Sequence, residues 1–130
     1  MQERTCIEYK MIVFNQRPPS AIKRGDYVSF VTDEGRMGHG FDGNIVIKKV
    51  GAIAGDKIRI HDGVLYINNE IMGRLDLSYA LHKKDSDFER NDVVPAGFVF
   101  MYGTKQRSYD SRYWGLLPIS EITGSAWVVM

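Results

Sequence analysis

Lys57-Ile58-Arg59-Ile60-His61-Asp62-Gly63-Val64-Leu65-Tyr66-Ile67-Asn68 is the stretch whose reading decides the fold. Its first five residues alternate polar and apolar, the period of a strand that buries one face. Val64 to Ile67 follows with β-branched and aromatic side chains, which suit a pleated surface. Asp62-Gly63 separates the two runs, and this pair favours the left-handed backbone of a type I′ turn. A β-hairpin is therefore expected here. The same texture extends outward in both directions. Met11–Phe14, Asp26–Val31, Asn44–Val50, Phe98–Tyr102 and Ala126–Val129 are further short apolar or β-branched runs, most of them bounded by Gly, Asp or Asn. Helical periodicity is weak throughout. Leu77 to Phe88 could hold a short helix, but its polar core Lys83-Lys84-Asp85-Ser86-Asp87 reads equally well as a surface loop.

The chain is thus expected to be mainly β, built as two small antiparallel sheets or partly open β-barrels. Its 130 residues form a single domain, residues 1–130, interrupted by a turn-rich region at 33–43 and a charged insertion at about 79–92. With 44% hydrophobic and 25% charged residues it is an ordinary globular composition. Seventeen Lys and Arg against sixteen Asp and Glu leave a net charge of +1, which gives no electrostatic footing for nucleic acid. No apolar run approaches the ~18–20 residues that cross a bilayer as a helix. A single cysteine, Cys6, excludes an internal disulfide framework and a cysteine-rich zinc site. His39, His61 and His82 show no metal-ligand spacing, so neither a metal nor any other cofactor is expected.

Two segments exceed what strand logic requires. In Lys48-Lys49-Val50-Gly51-Ala52-Ile53-Ala54-Gly55-Asp56, two consecutive lysines follow Ile45-Val46-Ile47. On a strand they point to opposite faces, so one turns toward the apolar side. An ammonium drawn into apolar surroundings loses its proton more readily, and the neutral amine is a competent general base. An edge-strand lysine pair that discourages aggregation is the plainer alternative. The second segment, Gly103 to Gly115, packs Ser108, Asp110, Ser111 and Arg112 beside Tyr113-Trp114. Asp110 and Arg112, two apart on an extended chain, share a face and can form a fixed charge-assisted pair. Such a network positions a catalytic amine or merely pins a loop.

Together the two segments resemble the boxes of the S26 peptidases, the signal peptidases and the conjugative-transfer peptidases. The family's lysine box, approximately Lys-Arg-Val-x-Gly-Leu-Pro-Gly-Asp, is similar to Lys48–Asp56 in length, leading lysine and closing Gly-Asp. Its later Ser-x-Asp-Ser-Arg-Tyr-Trp-Gly string is matched by Ser108-Tyr109-Asp110-Ser111-Arg112-Tyr113-Trp114-Gly115. Lys23–Val28, Val64–Glu70 and Val94–Phe100 resemble the family's strand openings and hairpin, so the likeness runs from about Lys23 to Trp127. The resemblance implies that Lys48 is the general base, that Ser108 hydrogen-bonds its amine, and that Asp110 and Arg112 hold the loop. It further implies an endopeptidase for exported or conjugation-related precursors. The precursor is expected to bind as an extended strand.

The nucleophile is where the sequence departs from the family. A serine is expected three or two residues before a proline. Here Glu8 stands at the proline position, which puts Thr5 or Cys6 in place of serine. Thr5 keeps a hydroxyl, and Cys6 offers a stronger nucleophile once its thiolate forms. Ser20, after Pro18-Pro19, reads as a loop residue. The polar start Met1-Gln2-Glu3-Arg4 stands where the family has a membrane anchor. The expectation is a form soluble as given, its full-length counterpart anchored at the periplasmic face of a bacterial inner membrane. The competing expectation is a catalytically inactive S26-like β module that binds peptide or an assembly partner. Small-molecule binding in a barrel mouth has only the fold class behind it.

Overall fold

In a computed structural model, which describes residues 4–5, 12–15, 22–37, 43–103 and 108–128, strands dominate and helices are limited to single turns. The strands are β1 (Arg4–Thr5), β2 (Ile12–Asn15), β3 (Tyr27–Val31), β4 (Ile45–Ala52), β5 (Lys57–His61), β6 (Val64–Ile67) and β7 (Glu70–Arg74). They continue as β8 (Arg90–Val93), β9 (Phe98–Tyr102), β10 (Leu117–Pro118) and β11 (Ile122–Val128). Two one-turn helices accompany them, α1 (Glu34–Met37) and α2 (Ser111–Trp114).

The expected hairpin forms as read. Asp62 and Gly63 both take positive φ, 51° and 75°, and His61 pairs with Val64 across the turn. Asn68 and Asn69 repeat the device at 51° and 70°, turning β6 into β7. These two hairpins build the smaller sheet, in the order β7-β6-β5-β8. The larger sheet has the order β10-β9-β4-β3-β11-β2 and curls into a half-barrel. Its pairings are antiparallel except that β1 lies parallel to β4, Arg4 level with Val46 and Thr5 level with Ile47.

β4 and β9 are the strands both halves share. On β9, Val99 and Met101 enter a core with Val28, Phe30, Val46, Val50 and Leu117. Phe100, on the opposite face, enters a second core with Ile58, Ile60, Leu65, Ile67 and Val94. β4 makes the same division by a bulge between Val50 and Ala52, which sends Val50 to the first core and Ala52 to the second. Burying side chains such as Phe30 and Phe100 is worth ~1.5–3 kcal/mol each, and this apolar burial holds the two sheets together.

Three local details go beyond the sequence pattern. Arg90–Val93 lies within the charged insertion yet forms an edge strand on β5, its Arg90 and Asp92 side chains pairing at 2.7 Å. Of the two readings of Leu77–Phe88, the loop is the one that forms, as turns and one 3₁₀ turn at Asp85–Phe88. The last strand begins at Ile122, four residues earlier than its aromatic run indicates, because Ile122 pairs with Phe30.

Gly63 supports the first hairpin in two ways. Its φ is +75°, and a Cβ there would press on the Asp85 carboxylate. Gly63→Ala is expected to lower unfolding free energy by at least ~1–2 kcal/mol, the cost of left-handed backbone alone, as measured by urea denaturation.

Candidate active site

Lys48 lies on an interior strand. β3 flanks β4 on one side, with Val28 opposite Lys48. On the other side β9 pairs with Lys49, Val50 and Ala52, and β1 takes over the edge at Val46 and Ile47. Strand alternation sets Lys48 on the same face as Val46 and Val50, and it is 5% exposed. Lys49 takes the opposite face, half-buried at the wall of a cavity of about 540 Å³ that Ile67, Met72 and Tyr102 also line. The edge-strand account of the lysine pair therefore does not hold, since β4 has neighbours on both sides.

The polar segment after β9 is fixed by a small number of strong contacts. Asp110 caps α2, and its carboxylate accepts from the Arg112 backbone N–H at 3.0 Å and the Gly103 N–H at 2.7 Å. The Arg112 guanidinium donates to the same carboxylate through Nε at 2.9 Å and Nη2 at 3.1 Å. Both side chains are almost fully buried, at 0% and 4% exposure. The pair expected from the sequence is thus present, but its geometry differs. Ser111–Trp114 is a helical turn, not extended chain, and Asp110 meets Arg112 because a capping carboxylate lies over the first turn. Burial opposes the Arg112 charge, yet the hydrogen bonds and charge of Asp110 prevail and hold its pKa above the ordinary arginine value.

Arg112 reaches beyond Asp110. It donates to the Ser108 carbonyl at 3.2 Å and, through Nη1, to the Arg74 carbonyl on β7 at 2.6 Å. Its guanidinium lies over the rings of Tyr102 and Tyr113, at 4.9 and 5.3 Å from their centroids. Ser111 Oγ accepts the Met101 N–H at 2.7 Å, tying α2 to β9. Ser108 is buried beside these groups, at 3% exposure. Ser108, Asp110, Ser111 and Arg112 stand out in the sequence, whereas Tyr102 does not, because its role depends on β7 and α2 beside it.

Of the two nucleophile candidates, Thr5 is in β1 with its backbone level with Ile47, one position from Lys48 along β4. Cys6 lies outside the described residues, as does Ser20. Among the described residues no cluster of three or more His, Cys, Asp or Glu could hold a metal. His61 Nδ1 instead meets the Glu89 carboxylate at 3.1 Å, and this contact holds the Glu89 pKa below its usual value.

The half-barrel thus carries a buried lysine on β4, and the Ser-x-Asp-Ser-Arg-Tyr-Trp-Gly segment is pinned by a buried ion pair. The family model for signal peptidase, peptidase S26, matches residues 2–130, and the chain belongs to that family. It is 33% identical over 101 residues to the probable thylakoidal processing peptidase 2, chloroplastic, of Arabidopsis thaliana, covering 76% of this chain and 26% of that protein. It is 27% identical over 128 residues to the probable signal peptidase I-2 of Synechocystis sp. (strain ATCC 27184 / PCC 6803 / Kazusa), covering 98% and 55%. A crystal structure of a signal peptidase I from Enterococcus faecalis V583 shares the fold, with a TM-score of 0.51 at 23% identity, over 82% of this chain and 97% of that one. The chain therefore spans between about a quarter and just over half of these two relatives' lengths.

Tyr113 makes the loop sensitive to alkali. Burial pushes its hydroxyl up to about 12 from 10.0, while the Asp76 and Leu77 N–H groups that donate to it at 2.7 and 3.1 Å pull the other way. The neutral hydroxyl is favoured in the folded state, so its stabilisation is complete below pH 10 and disappears as pH rises through about 12. Urea unfolding is expected to show stability falling across that window. Tyr113→Phe, which has no proton there to lose, should show a shallower fall.

Proposed function

We propose that this chain is the catalytic portion of a signal-peptidase-class endopeptidase that uses a lysine general base and a hydroxyl or thiol nucleophile. The observation that carries this reading is Lys48, buried on an interior strand in a chain that retains the family's Asp110–Arg112 loop. The Lys48 side chain takes the proton from the nucleophile at position 5 or 6, and the freed oxygen or sulfur attacks the scissile carbonyl. Backbone N–H groups beside the nucleophile stabilise the oxyanion. The amine then protonates the leaving nitrogen, and water, deprotonated by the same amine, hydrolyses the acyl intermediate. Ser108 hydrogen-bonds and orients the amine, and Asp110 with Arg112 hold Ser108 in place.

The substrate is a precursor polypeptide, exported or conjugation-related, bound as an added strand so that main-chain hydrogen bonds supply affinity. Cleavage takes place at a membrane face, the periplasmic face of the inner membrane in a bacterium. Among the described residues no helix is long and apolar enough to cross a membrane. The lack of serine at positions 5 and 6 favours a second reading, a non-catalytic module that binds peptide on the same scaffold.

Precursor cleavage by the chain fused to a membrane anchor separates them. Lys48→Met should lower kcat/KM by ~10²–10⁴-fold, the usual value of a general base, while Lys49→Met stays near the parent. A single side chain attacks the scissile carbonyl, so only one of Thr5→Ala and Cys6→Ala should abolish cleavage. Parental rates in Lys48→Met would remove the base assignment. A parent that binds precursor without cutting it would establish the binding module.

A further inference from the structure

The smaller sheet ends at β7, which among the described residues has no backbone partner on its outer side. Such an edge leaves carbonyl and N–H groups open to any passing strand. Here two of its carbonyls are closed by side chains from β9 and α2. Tyr102, on β9, donates its hydroxyl to the Met72 carbonyl at 2.9 Å. Arg112 donates to the Arg74 carbonyl at 2.6 Å. Between these two carbonyls stands Gly73, and a Cβ there would run into the Tyr102 hydroxyl. Gly73 needs no unusual backbone angle, so its demand for glycine comes from the approach of Tyr102 alone.

The same tyrosine touches the loop on its other side. Its ring is a face on which the Arg112 guanidinium rests, 4.9 Å from the centroid. The next residue, Gly103, donates its N–H to Asp110 at 2.7 Å, and Arg112 in turn holds the Ser108 carbonyl at 3.2 Å. A contiguous path therefore runs from the β7 edge through Tyr102 and Arg112 to Ser108. Gly51, in the bulge of the strand that carries Lys48, meets the same residue, since a Cβ there would lie 3.0 Å from the Tyr102 Cβ.

We propose that Tyr102 is a positioning residue for the Lys48 site, locking the β7 edge to β9 and backing Arg112, with Gly73 kept small so that it can do so. In its catalytic consequence this rests on the peptidase reading above. The mechanical part does not, and the test separates them.

Two readings are taken on the parent, Gly73→Ala, Tyr102→Phe and the double variant. The first is hydrogen exchange at the Gly103 amide, which needs no substrate. The second is precursor cleavage by the anchored chain. Gly73→Ala should displace the ring and speed Gly103 exchange about 10-fold or more, the protection of roughly one net hydrogen bond. It should lower kcat by a similar factor with KM within about two-fold, the signature of misplaced catalytic groups. Tyr102→Phe removes the obstructing oxygen, leaving a Cβ at Gly73 3.3 Å from the ring carbon Cζ. The double variant should therefore return both readings to those of Tyr102→Phe alone. A Gly73→Ala chain that fails to fold until Tyr102→Phe is added supports the same lock. Parental exchange in Gly73→Ala, or a double variant no better than Gly73→Ala, overturns the proposal. Restored exchange together with a parent that never cleaves retains the lock and removes only the peptidase reading.

Discussion

A carboxylate and a guanidinium lie 2.9 Å apart at the centre of this fold, with almost no water on either. Burying two charges costs several kcal/mol per ion unless the pair and its surroundings replace the lost hydration. Asp110 and Arg112 meet that condition by using nearly every donor and acceptor they have. The carboxylate takes two backbone N–H groups as well as the guanidinium, and the guanidinium takes two backbone carbonyls and two aromatic faces. The contacts reach β9, α2, β7 and the segment that carries Ser108. Losing either partner strands the other charge, typically at ~3–5 kcal/mol, and frees all of these elements together.

This arrangement explains how a chain made almost wholly of short strands can hold a rigid polar site. β9 presents one face to each core and β4 passes from one core to the other at its bulge, so both strands belong to both halves of the molecule. Lys48 is carried on one of these strands and the loop with Ser108 leaves the end of the other. The ladder fixes the first residue, and the buried ion pair fixes the second. Loops usually trade precision for mobility, but here the capping carboxylate, the arginine and the tyrosine ring replace the backbone ladder that the loop lacks.

Much of the fold could be read from residues alone, for identifiable reasons. Asp62-Gly63 carries its turn type in its own chemistry, and the alternation around it states which face is buried. That one of Lys48 and Lys49 faces an apolar side is legible in the strand pattern, while the choice of Lys48 comes from the family resemblance, and β4 buries it between Val46 and Val50. Other features depend on distant partners. Arg90–Val93 looks like surface charge and becomes a strand only because β5 offers a free edge. Asp110 and Arg112 meet across a capped helical turn and not along extended chain, and one turn of helix is too short to show a period in the sequence. Tyr102 gives no local sign of its part in the loop. Its hydroxyl finds a carbonyl thirty residues away. At the nucleophile the sequence itself breaks the family pattern, and the structure adds only that the Thr5 backbone runs level with Ile47.

The central claim is that Asp110 and Arg112 act as one unit on which the loop depends. A double-mutant cycle on Asp110→Asn and Arg112→Gln, read by urea denaturation, tests it most directly. A unit of this kind predicts strong non-additivity, an interaction energy toward the upper end of the ~0.5–3 kcal/mol range for residues sharing one network. Losses that add to within ~0.3–0.5 kcal/mol, as independent sites do, would contradict it.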